Sequence, residues 1–62
     1  MSDIFEFAKR LRRAYRIYGA EAESQNYQDI ESWFSARLID ARDKEFLHRC
    51  NQEYFKELME NS

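Results

Sequence analysis

Residues 3 to 19 read DIFEFAKRLRRAYRIYG, and apolar side chains recur in this stretch at steps of three and four residues. The recurring side chains are Ile4, Phe7, Ala8, Leu11, Ala14, Tyr15 and Tyr18. At about 100° per residue, they share one side of an α-helix. Asp3 and Glu6 have the spacing of an N-terminal capping box. Gly19 is a natural helix stop, although the AEAES that follows could prolong the helix, so we predict a first helix over about 3–22.

The opposite side of this helix is strongly basic. It carries Lys9, Arg10, Arg12, Arg13 and Arg16. Residues 1–19 contain five basic and two acidic side chains, a net charge of +3, whereas residues 20–62 contain five basic and ten acidic ones, a net charge of −5. The chain therefore combines one basic helix with an acidic remainder.

Composition favours an all-α fold. The 62 residues include no proline and one glycine, and 16 % of them are aromatic, which is more than a disordered chain carries. A chain of this length has room for one domain, 1–62, with a small core. One cysteine cannot form an internal disulfide. We therefore predict a small helical bundle that is completed by dimerisation.

Two further helices are predicted downstream. Ser24, Gln25 and Asn26 form a polar break, after which Asn26 caps a second helix over about 27–40. Its apolar stripe is Tyr27, Ile30, Phe34, Leu38 and Ala41, with Trp33 on the flank. A rotated stripe then follows in Phe46, Leu47, Cys50, Tyr54 and Leu58. This rotation favours a break near Asp40 to Asp43, with Asp43 capping a third helix over about 43–60. One long, bent second helix is the alternative.

The bundle can close in two ways. Three antiparallel helices make a minimal bundle, whereas a hairpin of two long helices needs a second copy to cover its apolar face. For a dimer, we predict a seam that uses large apolar side chains of the second and third helices. These are Trp33, Phe34, Leu38, Tyr54, Phe55 and Leu58.

No pattern in the chain predicts catalysis. His48 and Cys50 are two residues apart, which puts them on nearly opposite sides of a helix. Cys50 belongs to an apolar stripe and is expected to be buried and inert, while His48 is expected at the surface. A single glycine cannot form a phosphate-binding loop, and Asp40 with Asp43 lacks the rest of a calcium loop. We expect no enzyme, no cofactor and no metal.

The basic side of the first helix has four interpretations. The first interpretation is a solvated surface partly neutralised by acidic residues of the same chain, and the second is a docking site for a protein with an acidic surface. The third is a nucleic-acid site, and the fourth is a membrane-surface helix. The acidic residues in the first interpretation are Glu21, Glu23, Asp29 and Glu31. The membrane interpretation is disfavoured because Ile4, Phe7 and Leu11 are needed for the core.

Two residues favour a protein partner. Phe5 and Ile17 lie within the basic arc, and an apolar group among arginines is typical of an interface. The predicted partner-binding residues are Phe5, Lys9, Arg10, Arg12, Arg13, Arg16 and Ile17. A nucleic-acid-binding regulator that uses the same helix is the alternative, although the helices that would enter a DNA groove are acidic here.

The expected location is the cytoplasm. The N-terminus lacks the pattern of a secretory signal, and no window approaches the roughly 20 apolar residues that span a bilayer. A single free thiol fits a reducing compartment. On size alone, we expect a compact regulatory or accessory protein of a bacterium or phage.

Overall fold

The computed structural model describes residues 3–61, which form three α-helices. Helix α1 spans Ile4–Tyr18, a single 3-10 turn spans Gly19–Glu21, α2 spans Ala22–Ser35 and α3 spans Ala41–Glu60. No strand occurs in this part of the chain. The predicted all-α class is therefore confirmed.

The three helices run up, down and up. Phe7 near the start of α1 lies against Trp33 near the end of α2, with ring centroids 4.6 Å apart. Lys44 near the start of α3 pairs with Glu31 late in α2, whereas Asn51, farther along α3, donates to the carbonyl of Glu23 at the start of α2. Because each neighbouring pair is antiparallel, α1 and α3 are parallel. The structure is thus a three-helix bundle and not a hairpin with a bent second helix.

The apolar core lies along the line where the three helices meet. Its fully buried members are Leu11 of α1, Ile30 of α2 and Leu47 of α3. Ala8 and the loop residue Ile39 complete the cluster, and Ile4, Phe7, Trp33, Cys50 and Tyr54 pack against it partly buried. Each helix therefore contributes one central aliphatic side chain, and Ile39 ties the α2–α3 connection to the same core.

The start of α1 differs from the prediction. Asp3 occupies the N-cap position, but its side chain makes no capping hydrogen bond. Glu6 instead pairs with Lys9, with Oε1 and Nζ 3.6 Å apart. The predicted capping box was wrong because Glu6 faces along the exposed surface of the helix instead of reaching back to its first residue.

Gly19 ends α1, so the helix is shorter than the predicted 3–22. Its N–H donates to the carbonyl of Tyr15, and its φ of 66° with ψ of −144° is a conformation almost restricted to glycine. The chain turns here and α2 begins directly at Ala22. The single glycine of the chain is therefore the point at which the first two helices separate.

The predicted polar break at residues 24–26 was wrong. All three residues lie inside α2, and Asn26 is buried with 1 % of its surface exposed instead of capping a helix. Asparagine favours caps when only local hydrogen bonds are considered. In this bundle, the Asn26 side chain finds its partners on α1 and α3 instead.

Helix α2 ends earlier than predicted, at Ser35, in a Schellman motif. The N–H of Leu38 donates to the carbonyl of Trp33 (2.9 Å), and the N–H of Arg37 donates to the carbonyl of Phe34 (3.0 Å). Arg37 occupies the position where glycine is usual, with φ of 63°.

Helix α3 then begins two residues earlier than predicted. Asp40, and not Asp43, is its N-cap, because Asp40 Oδ1 accepts a hydrogen bond from the N–H of Asp43 at 2.8 Å. The break between the last two helices is therefore the loop of residues 36–40.

Several side chains predicted for the apolar stripes are exposed. Tyr18, Tyr27, Phe34, Leu38 and Phe46 expose 62, 54, 37, 56 and 43 % of their surfaces, respectively. Ala41 is also exposed, whereas His48, expected at the surface, is half-buried. Helices of a three-helix bundle bury only the sector that faces the two neighbours, so the outer members of each predicted stripe stay in solvent.

Candidate functional site: the basic face of helix α1

The predicted partner-binding residues all lie on the exposed side of α1. We call them the basic face: Phe5, Lys9, Arg10, Arg12, Arg13, Arg16 and Ile17. Within this set, the two apolar side chains are the most informative, because Phe5 exposes 72 % and Ile17 62 % of its surface. The structure therefore presents cations and large apolar groups on one helix surface about 18 Å long from residue 5 to residue 17.

Three of the basic side chains also contact the bundle. The guanidinium of Arg10 lies 5.9 Å from the centre of the Phe7 ring, and that of Arg12 lies 5.8 Å from the centre of the Tyr54 ring on α3. Lys9 pairs with Glu6. Arg12 was expected to point away from the bundle, so its contact with α3 corrects that expectation.

The remaining two, Arg13 and Arg16, make no ion pair within residues 3–61. No residue of the basic face forms an ion pair with any of the four acidic residues that were expected to neutralise it, Glu21, Glu23, Asp29 and Glu31. Glu31, for example, binds Lys44 (3.2 Å) and His48 (2.7 Å) on α3 instead. The charges of Arg13 and Arg16 are therefore directed to solvent.

A shallow depression on this face is lined only by cations. Its four lining residues are Lys9, Arg12, Arg13 and Arg16. They stand at spacings of three, one and three residues, so consecutive turns of α1 place their side chains next to one another. Such a hollow favours an anionic group, and guanidinium groups bind carboxylates or phosphates in a bidentate manner.

The predicted dimer seam is divided by the structure. Phe34 and Leu38 are exposed at the end of α2, while Trp33 is half-buried against Phe7. At the other end of α3, Phe55 lies 6.4 Å from the Tyr15 ring, and Tyr54 and Leu58 are also half-buried within the monomer. The two halves of the proposed seam are therefore at opposite ends of α3. Of the six residues, Leu38 is the most exposed, whereas Phe34 is 37 % exposed and its ring lies 4.5 Å from Lys44 Nζ.

A groove adjoins these two exposed side chains where α2 meets α3. We call it the α2–α3 corner: Phe34, Ser35, Arg37, Leu38, Ile39, Asp40 and Asp43. It combines apolar side chains with charges of both signs. Sequence reasoning identified Phe34 and Leu38 but not Arg37, because the left-handed backbone that directs Arg37 is not visible in a helical pattern.

A buried polar cluster joins all three helices, and sequence reasoning missed it. Tyr15 Oη donates to Asn51 Oδ1 at 2.5 Å and to the Asn51 carbonyl at 3.0 Å. Asn26 Nδ2 donates to the same Oδ1 and to the Leu11 carbonyl, both at 3.1 Å, and Asn51 Nδ2 donates to the Glu23 carbonyl at 3.2 Å. The spacing in the sequence could have revealed this cluster. Asn26 lies four residues before Ile30, and Asn51 lies four residues after Leu47, so each asparagine shares a helix face with a buried aliphatic residue.

These groups are neutral and hydrogen-bonded to one another. Burial, assisted by the nearby negative charge of Glu23, raises the pKa of Tyr15 to about 12. No buried side-chain nitrogen or oxygen in the described part of the chain lacks a hydrogen-bond partner. The cluster therefore has the character of a structural network, in which no buried side-chain nitrogen or oxygen is left without a partner.

His48 and Cys50 occupy separate environments, as their spacing predicted. His48 Nε2 lies 2.7 Å from Glu31 Oε2, and the imidazole stacks on Tyr27. Cys50 is a free, half-buried thiol, and burial raises its pKa.

Across residues 3–61, no three His, Cys, Asp or Glu side chains are grouped so that they could hold a metal ion. In the same residues, no helix has the length and apolar character needed to cross a bilayer.

Comparison with known proteins adds no relative. No family model matches the chain, and neither the curated proteins nor the solved structures include a significant match.

Proposed function

We propose that this chain is a non-enzymatic binding protein whose basic face docks on a protein with an acidic surface. One observation carries the proposal: Phe5 and Ile17 are exposed on a helix surface whose arginines form no ion pair with any residue from 3 to 61. Apolar anchors supply affinity when they enter a pocket, and surrounding cations increase the rate of encounter and select for acidic partners.

The arrangement of the face supports a protein more than a nucleic acid. Phe5, Lys9, Arg12 and Arg16 follow one another at steps of four, three and four residues, so a single stripe of α1 begins with an aromatic ring and continues with cations. Ile17 lies four residues after Arg13 and adds a second apolar group. A phosphate backbone offers such groups little to pack against, whereas an acidic protein surface with apolar pockets accommodates both.

The test is affinity capture from the native host followed by binding measurements with the identified partner. We expect Phe5→Ala to weaken binding and the double variant Arg13→Ala/Arg16→Ala to weaken it about tenfold or more. Arg12 is left unchanged because it contacts Tyr54. Arg49→Ala, which removes one exposed cation from α3, is the matched control and should bind as the parent does.

Nuclease treatment and salt separate the two classes of partner. A nucleic acid would be lost on nuclease digestion, and its affinity would fall by orders of magnitude between about 50 and about 200 mM salt. A protein partner should survive digestion and depend on Phe5. Binding that is insensitive to Phe5, Arg13 and Arg16 would show that the basic face is only a solvated surface.

We further propose that the chain self-associates as a homodimer and acts in the cytoplasm as a regulatory or accessory protein of a bacterium or phage. The support for self-association is the small core together with the exposed Phe34 and Leu38. The free thiol of Cys50 supports a reducing compartment. Sedimentation at micromolar and millimolar concentrations tests the dimer, and a monomer mass at both would overturn it.

A further inference from the structure

The α2–α3 corner contains a backbone conformation that its sequence does not explain. Arg37 has φ of 63°, in the left-handed region that favours glycine. A glycine would close the same Schellman motif without this strain, as glycine does at the end of many helices. An arginine in this position therefore lowers folding stability relative to glycine, and it places a guanidinium at the corner.

The Arg37 side chain has no ionic partner in the part of the chain that the structure describes. Arg37 is exposed and forms no ion pair with any residue between 3 and 61. Asp40 and Asp43 line the same groove, and neither forms an ion pair in that range. A second cation, Lys44, lies 4.5 Å from the centre of the Phe34 ring but is paired with Glu31. Arg37, Asp40 and Asp43 are thus the charges of the groove that no ion pair within residues 3–61 neutralises.

We propose that the α2–α3 corner is the seam of a homodimer, in which Arg37 of each copy pairs with Asp40 of the other. The proposal rests on the self-association proposed above and assigns it to particular residues. A twofold axis brings the same patch of both subunits together, so a suitable patch must complement itself. The corner meets this condition because it presents both signs of charge around an apolar centre.

The basic face does not meet the same condition. Its depression is lined by four cations and no anion, so two copies of it would repel. The two surfaces therefore have different occupants: an acidic protein on α1 and a second copy at the corner. Leu38, 56 % exposed and next to Arg37, is the main apolar contact that we assign to this seam.

The experiment measures the dimer dissociation constant by sedimentation equilibrium for the full chain and its variants. Arg37→Glu reverses the charge while keeping a side chain at the left-handed position, and we expect it to weaken the dimer about tenfold or more, because each pair becomes a repulsion. Arg42→Glu is the matched control: Arg42 is exposed in the first turn of α3, outside the groove, and the same charge reversal there should leave dimerisation unchanged.

Two more variants separate folding from association. Arg37→Gly should raise the thermal midpoint of the dilute monomer while weakening the dimer, since it removes both the backbone strain and the guanidinium. Asp40→Asn keeps an N-cap oxygen for the N–H of Asp43 but removes the charge, and should weaken the dimer without unfolding α3.

The outcomes are distinct. A dimer that is weakened by the changes at residues 37 and 40 but not by Arg42→Glu supports the corner as the seam. A dimer unaffected by all four variants overturns the corner while leaving self-association intact. A parent chain that stays monomeric up to about a millimolar concentration overturns both, and leaves the binding role of the basic face as a separate question.

Discussion

Asn26 on α2 donates a hydrogen bond to Asn51 on α3 at 3.1 Å, inside a bundle whose other central side chains are aliphatic. Both residues expose only 1 % of their surfaces. Tyr15 of α1 donates to the same Asn51 oxygen, so one side chain links all three helices. Buried amides are costly when unpaired, and a satisfied set of this kind therefore favours one helix register over its alternatives.

Asn51→Ala should be among the most destabilising single changes in the chain. The substitution removes an acceptor shared by Asn26 and Tyr15, removes the donor to the Glu23 carbonyl and leaves a cavity. We expect a loss of about 2 to 4 kcal/mol in the free energy of unfolding, measured by chemical denaturation. Gln52→Ala, at the exposed neighbouring position, is the control and should change that free energy by less than about 0.5 kcal/mol. Equal effects would show that the network does not stabilise the bundle.

Tyr15 should make the fold sensitive to alkaline pH. Burial raises its pKa from 10.0 to about 12, so the folded state holds this proton more tightly than the unfolded state. The resulting stability is fully present below pH 10 and is lost as pH rises toward 12.

Tyr15→Phe should therefore lower stability at neutral pH by about 1 kcal/mol and reduce the alkaline loss. Denaturation series at increasing pH measure both effects, with Tyr18→Phe on an exposed ring as the control. Parallel pH profiles for the parent and Tyr15→Phe would contradict the assignment.

Gly19→Ala should destabilise the fold through backbone conformation alone. An added Cβ would meet no atom within 4 Å, but the φ of 66° is strained for any residue with a side chain. We expect a loss of about 1 to 3 kcal/mol, seen as a lower thermal midpoint. Ala20→Gly provides a comparison in which the conformation is unstrained, and it should have a smaller effect. An unchanged midpoint for Gly19→Ala would show that the chain can turn here without glycine.

Glu31 should titrate abnormally because of its partners on α3. The hydrogen bond from His48, followed by that from Lys44, lowers the pKa of this carboxyl below its ordinary value of 4.5. A lowered folded pKa contributes stability above that ordinary value, which is lost as pH falls through the folded pKa. In a His48→Ala variant, NMR titration should show the Glu31 pKa moving back up toward 4.5. The control Arg49→Ala should leave the Glu31 pKa unchanged. If His48→Ala also leaves it unchanged, His48 is not the cause of the lowered pKa.

Cys50 should react slowly with thiol reagents in the folded protein. Burial raises its pKa, so little thiolate is present near neutral pH. We expect labelling, monitored by mass spectrometry, to be at least about tenfold slower in the native state than in denaturant. Equal rates in the two states would contradict this environment and restore a redox role as an open question.

Local pattern was sufficient for the existence of α1 and for most of its buried and exposed sides, although not for its two ends. The three- and four-residue spacing of Leu11 and Tyr15 predicted the buried side, and the exposed positions of Phe5 and Ile17 agree with the arc assigned to them. Both follow from helical geometry, because the spacing of residues along a helix fixes which side chains share a face. Which partner, if any, occupies that surface is not contained in this pattern.

Only the tertiary structure decided the rest. Asn26 was interpreted as a helix cap because its side chain competes for nearby backbone groups, and it lies inside a helix because partners 15 and 25 residues away satisfy it. Likewise, Phe34 and Leu38 have apolar spacing but do not share one buried face, since α2 ends at Ser35 and Leu38 lies in the loop, 56 % exposed. Sequence spacing determines which side chains share a face, whereas burial of that face depends on where the neighbouring helices pack, and those contacts are non-local.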